Sequence, residues 1–124
     1  MNPAPPLCFS RQQRIQRASE FASLKETGQR RVRGCLIANW RLTESGATSR
    51  LGVITSRRIG KAHVRNRARR MMRESFRHLQ HKLAAPIDLI LVARKSMAEK
   101  KQCEVEADLI RILKDKSLLK EDHS

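Results

Sequence analysis

Apolar and polar positions recur with two different periods along the chain, and the places where the period changes mark its elements. From Ala62 to about Leu83, the apolar residues Val64, Ala68, Met71, Met72, Phe76 and Leu79 fall at the spacing of one helical face. Pro86 closes that predicted helix. Ile87–Ala93 (IDLILVA) is the most apolar run of the chain, and its near-continuous hydrophobicity predicts a central strand buried on both faces. Val32–Arg41 (VRGCLIANWR) reads as a strand bent at Gly34, and Leu51–Ser56 (LGVITS) as a second strand rich in β-branched residues. The polar segment 43–49 (TESGATS) between them is short, which predicts an antiparallel, hairpin-type pair. Near the start, Ser19 reads as the N-cap of a short helix that turns Phe21 and Leu24 inward, with Gly28 just past its end. After a basic connection over residues 94–101, Val105, Leu109, Ile112 and Leu113 return to helical spacing within Glu104–Leu113, and residues beyond Lys114 read as a fraying tail. The order αββ–α–β–α predicts one mixed sheet with helices packed on it.

A length of 124 residues suits one domain. Residues 1–10, with Pro3, Pro5 and Pro6, are expected as a flexible tail, 11–119 as the folded domain and 120–124 as a second tail. No run of about 18 apolar residues is present, so no segment reads as membrane-spanning. The first ten residues lack the basic and apolar regions of a secretory signal, and their prolines oppose the helix of an organelle transit segment. Cys8, Cys35 and Cys103 are odd in number and far apart, without a CxxC. That usage fits a reducing, cytoplasmic setting and argues against a disulfide framework or a zinc site.

Charge changes the picture more than composition does. The formal net charge is +15, and nine of the 21 residues from Arg57 to Arg77 are Arg or Lys, opposed by Glu74 alone. A basic excess of this size implies a polyanionic partner, with nucleic acid foremost. Placed on a helical wheel, Val64, Ala68, Met71, Met72, Ser75, Phe76 and Leu79 occupy an arc of roughly 140°. Arg67, Arg69, Arg70, Arg73 and Arg77 occupy the complement, with Asn66 among them and Arg65 at the border. Eight of the nine basic residues are arginine, whose planar fork grips phosphate bidentately where a lysine ammonium cannot. Arg57, Arg58 and Lys61 lie near the helix N-terminus, where backbone N–H groups and the dipole also favour an anion. A solvated surface helix would mix charge signs, and a membrane-surface helix would carry bulky anchors where Ala68 and Ser75 stand.

The stretch SRRIGKAHVRNRARRMMRESFR resembles the signature of the protein subunit of bacterial ribonuclease P. The match comprises a strand ending at Ser56, a basic pair, Ile59-Gly60, Ala62, the Arg65-Asn66-Arg67 core, and then Arg70, Glu74 and Phe76. Phe21, Gly28, LGVITS and Asp88 before LILVARK also fall in family order, so the resemblance spans about residues 11 to 119. It implies an α-β-β-β-α-β-α order, an α+β two-layer sandwich with a mixed four-stranded sheet, a short first strand around Arg30–Val32, and a left-handed crossover through the basic helix. It also implies a role in removing the 5′ leader of precursor tRNA, with the large RNA subunit and its Mg²⁺ ions supplying catalysis and no catalytic residue in this chain. The catalytic RNA and the precursor leader would be the partners, with no membrane and no obligate protein partner.

Under that resemblance, Arg57, Arg58, Lys61, Arg65, Asn66, Arg67, Arg69, Arg70 and Arg73 would contact RNA. A cleft between sheet and first helix, with Phe21, Lys25 and Asn39, would hold the leader. The chain departs from the family at Lys25, where a second aromatic is common, at Asn39, where Tyr is frequent, and at Lys61, where Asn is common. Trp40, one residue after Asn39, belongs to the opposite face of its strand. The residues by themselves also fit a non-catalytic binder of structured RNA, ribosomal or assembly-related, or a helix used in a DNA major groove. His78 and His81 lack a third metal ligand in the sequence and read as surface histidines. Cys35 reads as a small core residue, and Asp88 and Glu74 as structural groups.

Overall fold

The apolar run Ile87–Ala93 forms the strand around which the sheet is built. The computed structural model describes residues 14, 15, 18–43 and 48–120. Its elements are α1 (Ala18–Thr27), β1 (Gln29–Arg33), β2 (Leu36–Leu42), β3 (Arg50–Ile54), α2 (Ala62–Leu79), β4 (Ile87–Ala93) and α3 (Gln102–Asp115). The sheet order is β1-β2-β4-β3, with β3 parallel to β4 and the other two pairings antiparallel. Strand β4 thus has a neighbour on both edges and cover on both faces, as its composition demands. This is a mixed four-stranded α+β fold, and β3–α2–β4 is its crossover unit.

Two expectations about the strands fail. Strands β2 and β3 do not form a hairpin pair; β4 lies between them, because a strand apolar on both faces is most stable in the sheet interior. The bent strand Val32–Arg41 is in fact the end of β1, a turn at Gly34–Cys35, and most of β2. Gly34 takes φ +56° at the first turn position, which glycine tolerates without strain in a II′-type hairpin. A Cβ there would also collide with the Asp108 carboxylate. That carboxylate accepts the Cys35 N–H (3.1 Å) and latches the hairpin to α3.

Side-chain alternation divides the two faces of the sheet. Leu36, Ala38 and Trp40 of β2, Leu51 of β3, and Ile87, Leu89, Leu91 and Ala93 of β4 join α2 and α3 in one core. Ile90 packs on the other face with Leu24 of α1 and with Ile15. Helix α1 begins at Ala18, so Ser19 lies inside its first turn rather than at the N-cap. Gly28 stands just past its end, its N–H on the Leu24 carbonyl (2.7 Å). Asp88, 3% exposed, points to the α1 side, where Arg50 grips both its oxygens (3.0 and 2.9 Å) and Arg41 adds a third contact (3.5 Å). A buried carboxylate needs such partners.

The basic helix is shorter than its pattern suggests. Helix α2 ends at Leu79, a 3₁₀ turn follows at Gln80–Lys82, and Pro86 lies just before β4 rather than closing the helix. Beyond α3, the residues expected to fray are held. Ser117 turns the chain at φ +57°, the Leu118 N–H reaches the Leu113 carbonyl (2.8 Å), and Leu118 is buried. The Ala84 N–H then donates to Leu118 O and the Lys120 N–H to Lys82 O, each at 2.7 Å. Of the expected tails 1–10 and 120–124, Lys120 is held in this way and residues 1–10 and 121–124 lie outside the described residues.

The core makes a direct prediction. Phe76, 1% exposed under α2, should cost about 3–5 kcal/mol when replaced by Ala, read from urea unfolding. Leu42→Ala, at a residue 61% exposed, should stay within about 0.5 kcal/mol of the parent chain. Equal costs would contradict the assignment of the core.

Candidate nucleic-acid interface

Helix α2 buries Ala68, Met71, Met72, Ser75, Phe76 and Leu79, the apolar arc that the periodicity marks out, with Val64 half-buried at its edge. Ser75 is fully buried and stays satisfied. Its hydroxyl donates to Met71 O (2.8 Å) and accepts from Gln102 Nε2 (2.8 Å), which also reaches Met71 O (3.1 Å) and clasps α3 to α2. The remaining arc faces outward as a row of cations.

Several of those cations are held in place by neutral oxygen acceptors. Arg69 donates to Thr55 Oγ1 (2.7 Å) and to the Asn66 side-chain oxygen. Arg67 donates through Nη2 to Lys100 O (2.6 Å) and through Nη1 to Ala98 O (3.5 Å), beside the 3₁₀ turn Lys95–Glu99. A guanidinium bonded to carbonyls and hydroxyls keeps its full charge and loses rotamer freedom, which lowers the entropic cost of a later phosphate contact. Arg65 is half-buried, and Arg70, Asn66 and Lys61 are exposed.

Arg57 and Arg58 lie exposed on a 3₁₀ turn whose third residue, Ile59, is buried as a plug. Gly60 follows at φ +150°, where a Cβ would crowd the Val64 side chain at 3.2 Å. The glycine therefore brings the basic turn close to the start of α2. No acidic residue occupies the first turn of α2, and Lys61 stands at its N-cap without a side-chain cap bond. Unbonded N–H groups, the dipole and the nearby arginines all favour an anion at this end.

Arg73 is crowded. Burial, then the positive charges of Arg14 and Arg69, hold its guanidinium below its ordinary pKa. Reading the sequence passes over Arg14, which sits in a basic polar run without period. The structure brings it in through a parallel bridge from Arg14 to Leu51. By contrast, Arg77 is matched by Glu74, with side-on bonds of 2.6 and 2.8 Å. That bond holds Glu74 below and Arg77 above their usual values. The arginine row is therefore most strongly positive in its N-terminal part.

On the other face of the sheet, Asn39 lies in register between Arg30 and Ile90 and is 5% exposed, while Trp40 points into the opposite core. The backbones of Phe21 and Lys25 lie in α1, but their side chains fall outside the described residues. Along this same face Val32, Ile37, Val92 and Ile54 form one cross-strand row.

Three carboxylates near the sheet and α2 are engaged in ion pairs. Asp88 is held by Arg50 and Arg41, Glu74 by Arg77, and Glu106 by His78 Nδ1 at 2.8 Å. Among the described residues no three His, Cys, Asp or Glu side chains group so as to hold a metal ion. No helix among the described residues is long and apolar enough to cross a membrane.

Fold and surface together define a small α+β domain with a basic crossover helix suited to a nucleic-acid backbone. Its relatives name the family. The ribonuclease P family model matches residues 9–117. The chain is 35% identical to the ribonuclease P protein component of Desulfatibacillum aliphaticivorans, covering 82% of this chain and 81% of that one. It is 31% identical to that of Bacillus cereus strain B4264, covering 86% and 92%. Among solved structures, the RNase P protein of Thermotoga maritima superposes with a TM-score of 0.72 at 26% identity, over 82% of this chain and 96% of that one. The RNase P protein of Staphylococcus aureus gives 0.78 at 21% identity, over 86% and 97%, a likeness of fold. The chain belongs to the bacterial ribonuclease P protein family, and its role is that of protein subunit in this metal-requiring, tRNA-processing ribonucleoprotein. The alternative of a ribosomal or assembly protein is not favoured.

The two described cysteines supply a test of the packing beside α3. Burial, then the hydrogen bond to Asp108 (Sγ to Oδ2, 3.3 Å), pushes the Cys35 thiol up to about 12, whereas Cys103 is exposed. In a Cys8→Ser background at pH 8, one thiol should react rapidly with a disulfide reagent and Cys35 only on unfolding. A thiol whose folded pKa is raised stabilises the fold below its unfolded value of 9.0. That contribution should fade as pH rises from 9 towards 12. Two thiols reacting at equal speed in the native chain would contradict this placement.

Proposed function

We propose that this chain binds the catalytic RNA of ribonuclease P through Arg57, Arg58, Lys61, Arg65, Asn66, Arg67, Arg69, Arg70 and Arg73. The 5′ leader of precursor tRNA then enters the cleft bounded by Phe21, Lys25 and Asn39. The observation that carries this reading is the two-sided helix α2, whose buried apolar face holds it down while arginines fixed by Thr55, Asn66 and the carbonyls of Ala98 and Lys100 face outward. Phosphate contacts of this kind position an RNA without reading its sequence, which suits a protein that must accept many precursors.

The chain positions and the RNA cuts. Hydrolysis of the phosphodiester bond belongs to the RNA subunit with Mg²⁺, and the protein contributes by holding RNA and leader together. With Lys25 and Asn39 in the cleft, leader contacts draw on charge and hydrogen bonding alongside any stacking on Phe21. The working unit is residues 11–119, acting in the cytoplasm.

Purified chain added to a bacterial ribonuclease P RNA and precursor tRNA at low Mg²⁺ should stimulate 5′ leader cleavage; no stimulation would overturn the reading. Arg70→Ala should weaken RNA binding and reduce the salt slope by about 0.7–0.9, the loss of one phosphate contact. Arg67→Ala should do the same and also loosen the segment it anchors at Ala98 and Lys100. Arg77→Ala, whose charge Glu74 offsets, should change the slope less than Arg70→Ala. Unchanged slopes for both Arg67→Ala and Arg70→Ala would remove the proposed face.

A further inference from the structure

A cavity of about 350 Å³ opens where α2, α3 and the C-terminal segment meet, outside the surface assigned above. Its floor is apolar, made by Leu79, Ile110 and Leu119, and its rim carries Lys82, Lys114 and Lys120, with His81 beside them. Among the described residues no carboxylate pairs with any of these lysines. Lysines near helix C-termini suit the dipole, and Lys82 and Lys114 follow that rule. Lys120 belongs to neither helix; it is brought in by its N–H bond to Lys82 O. Nor does a dipole call for an apolar floor open between the cations.

The cavity lies at the C-terminal end of α2, on the apolar arc that carries Leu79 rather than on the arc that carries Arg73. Leu79 lies six residues beyond Arg73, about 9 Å further along the helix axis. Arg77, between them, is occupied by Glu74, so the lysine rim is a separate positive region rather than the end of the arginine row. We propose that this cavity binds one unstacked nucleotide of single-stranded RNA, its base on Leu79, Ile110 and Leu119 and its phosphate among Lys82, Lys114 and Lys120. The volume falls in the range of small-ligand pockets. An aliphatic floor offers no hydrogen bonds that would select a base, and lysine ammonium groups attract a phosphate as point charges without a fixed geometry. This site rests on the reading that the chain acts on RNA.

Methyl NMR of the full-length chain tests it directly. Adenosine monophosphate should shift the Leu79, Ile110 and Leu119 methyl signals saturably, and inorganic phosphate at equal concentration should not. A single-stranded pentaribonucleotide should shift the same methyls, and a blunt RNA duplex should not. The K82Q/K114Q/K120Q variant should bind the nucleotide about tenfold more weakly, a loss of about 1.4 kcal/mol. The proposal is overturned by equal shifts with phosphate alone or with duplex, by unchanged affinity in the lysine variant, or by stronger shifts with dodecyl phosphate than with the nucleotide. It is also overturned if deleting residues 121–124 moves the same methyls as far as the nucleotide does. A chain that binds the nucleotide here yet stimulates no leader cleavage would refute the preceding reading and uphold this site.

Discussion

The structure depends on the seating of α2 on the sheet. A helix with nine basic residues in and just before it repels itself, and in isolation it has no reason to persist. Burial of Ala68, Met71, Met72, Phe76 and Leu79 against β3, β4 and α3 supplies the opposing free energy, at about 25 cal/mol for each Å² of apolar surface removed from water. The polar clasp among Ser75, Met71 and Gln102 fixes how the two helices meet. Because the apolar arc is held, the opposite arc is presented at fixed angles. Fold and function are thus two sides of one helix.

The same constraint explains where the charges are compensated and where they are not. Asp88 pairs with Arg50 and Arg41 on the far side of the sheet, Asp115 lies within 3.3 and 3.7 Å of Arg31 and Arg33, and Glu74 meets Arg77. The exposed pairs of Asp115 and Glu74 add little stability individually, whereas Asp88 is buried and needs its arginines; together they decide which faces stay positive. The N-terminal half of α2 is given no acid, and Arg73 is crowded by Arg14 and Arg69. Such an arrangement is costly in the free protein and favourable once an RNA backbone supplies the missing negative charge.

Much of this was legible in the residues. The helical period from Val64 to Leu79 marks the buried arc of α2 residue by residue, and the unbroken apolar run of Ile87–Ala93 marks the strand that takes the sheet interior. Strand pairing was not legible, because nearness in sequence between β2 and β3 carries no information about β4, whose insertion between them is a long-range event. Gly34 reads equally well as a bend or a turn until Asp108, 74 positions away, is seen to latch it. The ordered segment after α3 was hidden for the same reason: Leu118 and Leu119 look like a short apolar remnant until residues 82–84 pair with them. Arg14 was missed because a bridge to Leu51, not a local pattern, places it beside Arg73.

The most direct test of the central claim is a structure of the chain bound to ribonuclease P RNA. The account predicts RNA phosphates along Arg65, Arg69, Arg70 and Arg73, with the α2 backbone shifted by no more than about 1 Å from its place in the free chain. RNA running over another surface, or α2 lifted from the sheet to reach it, would contradict the account.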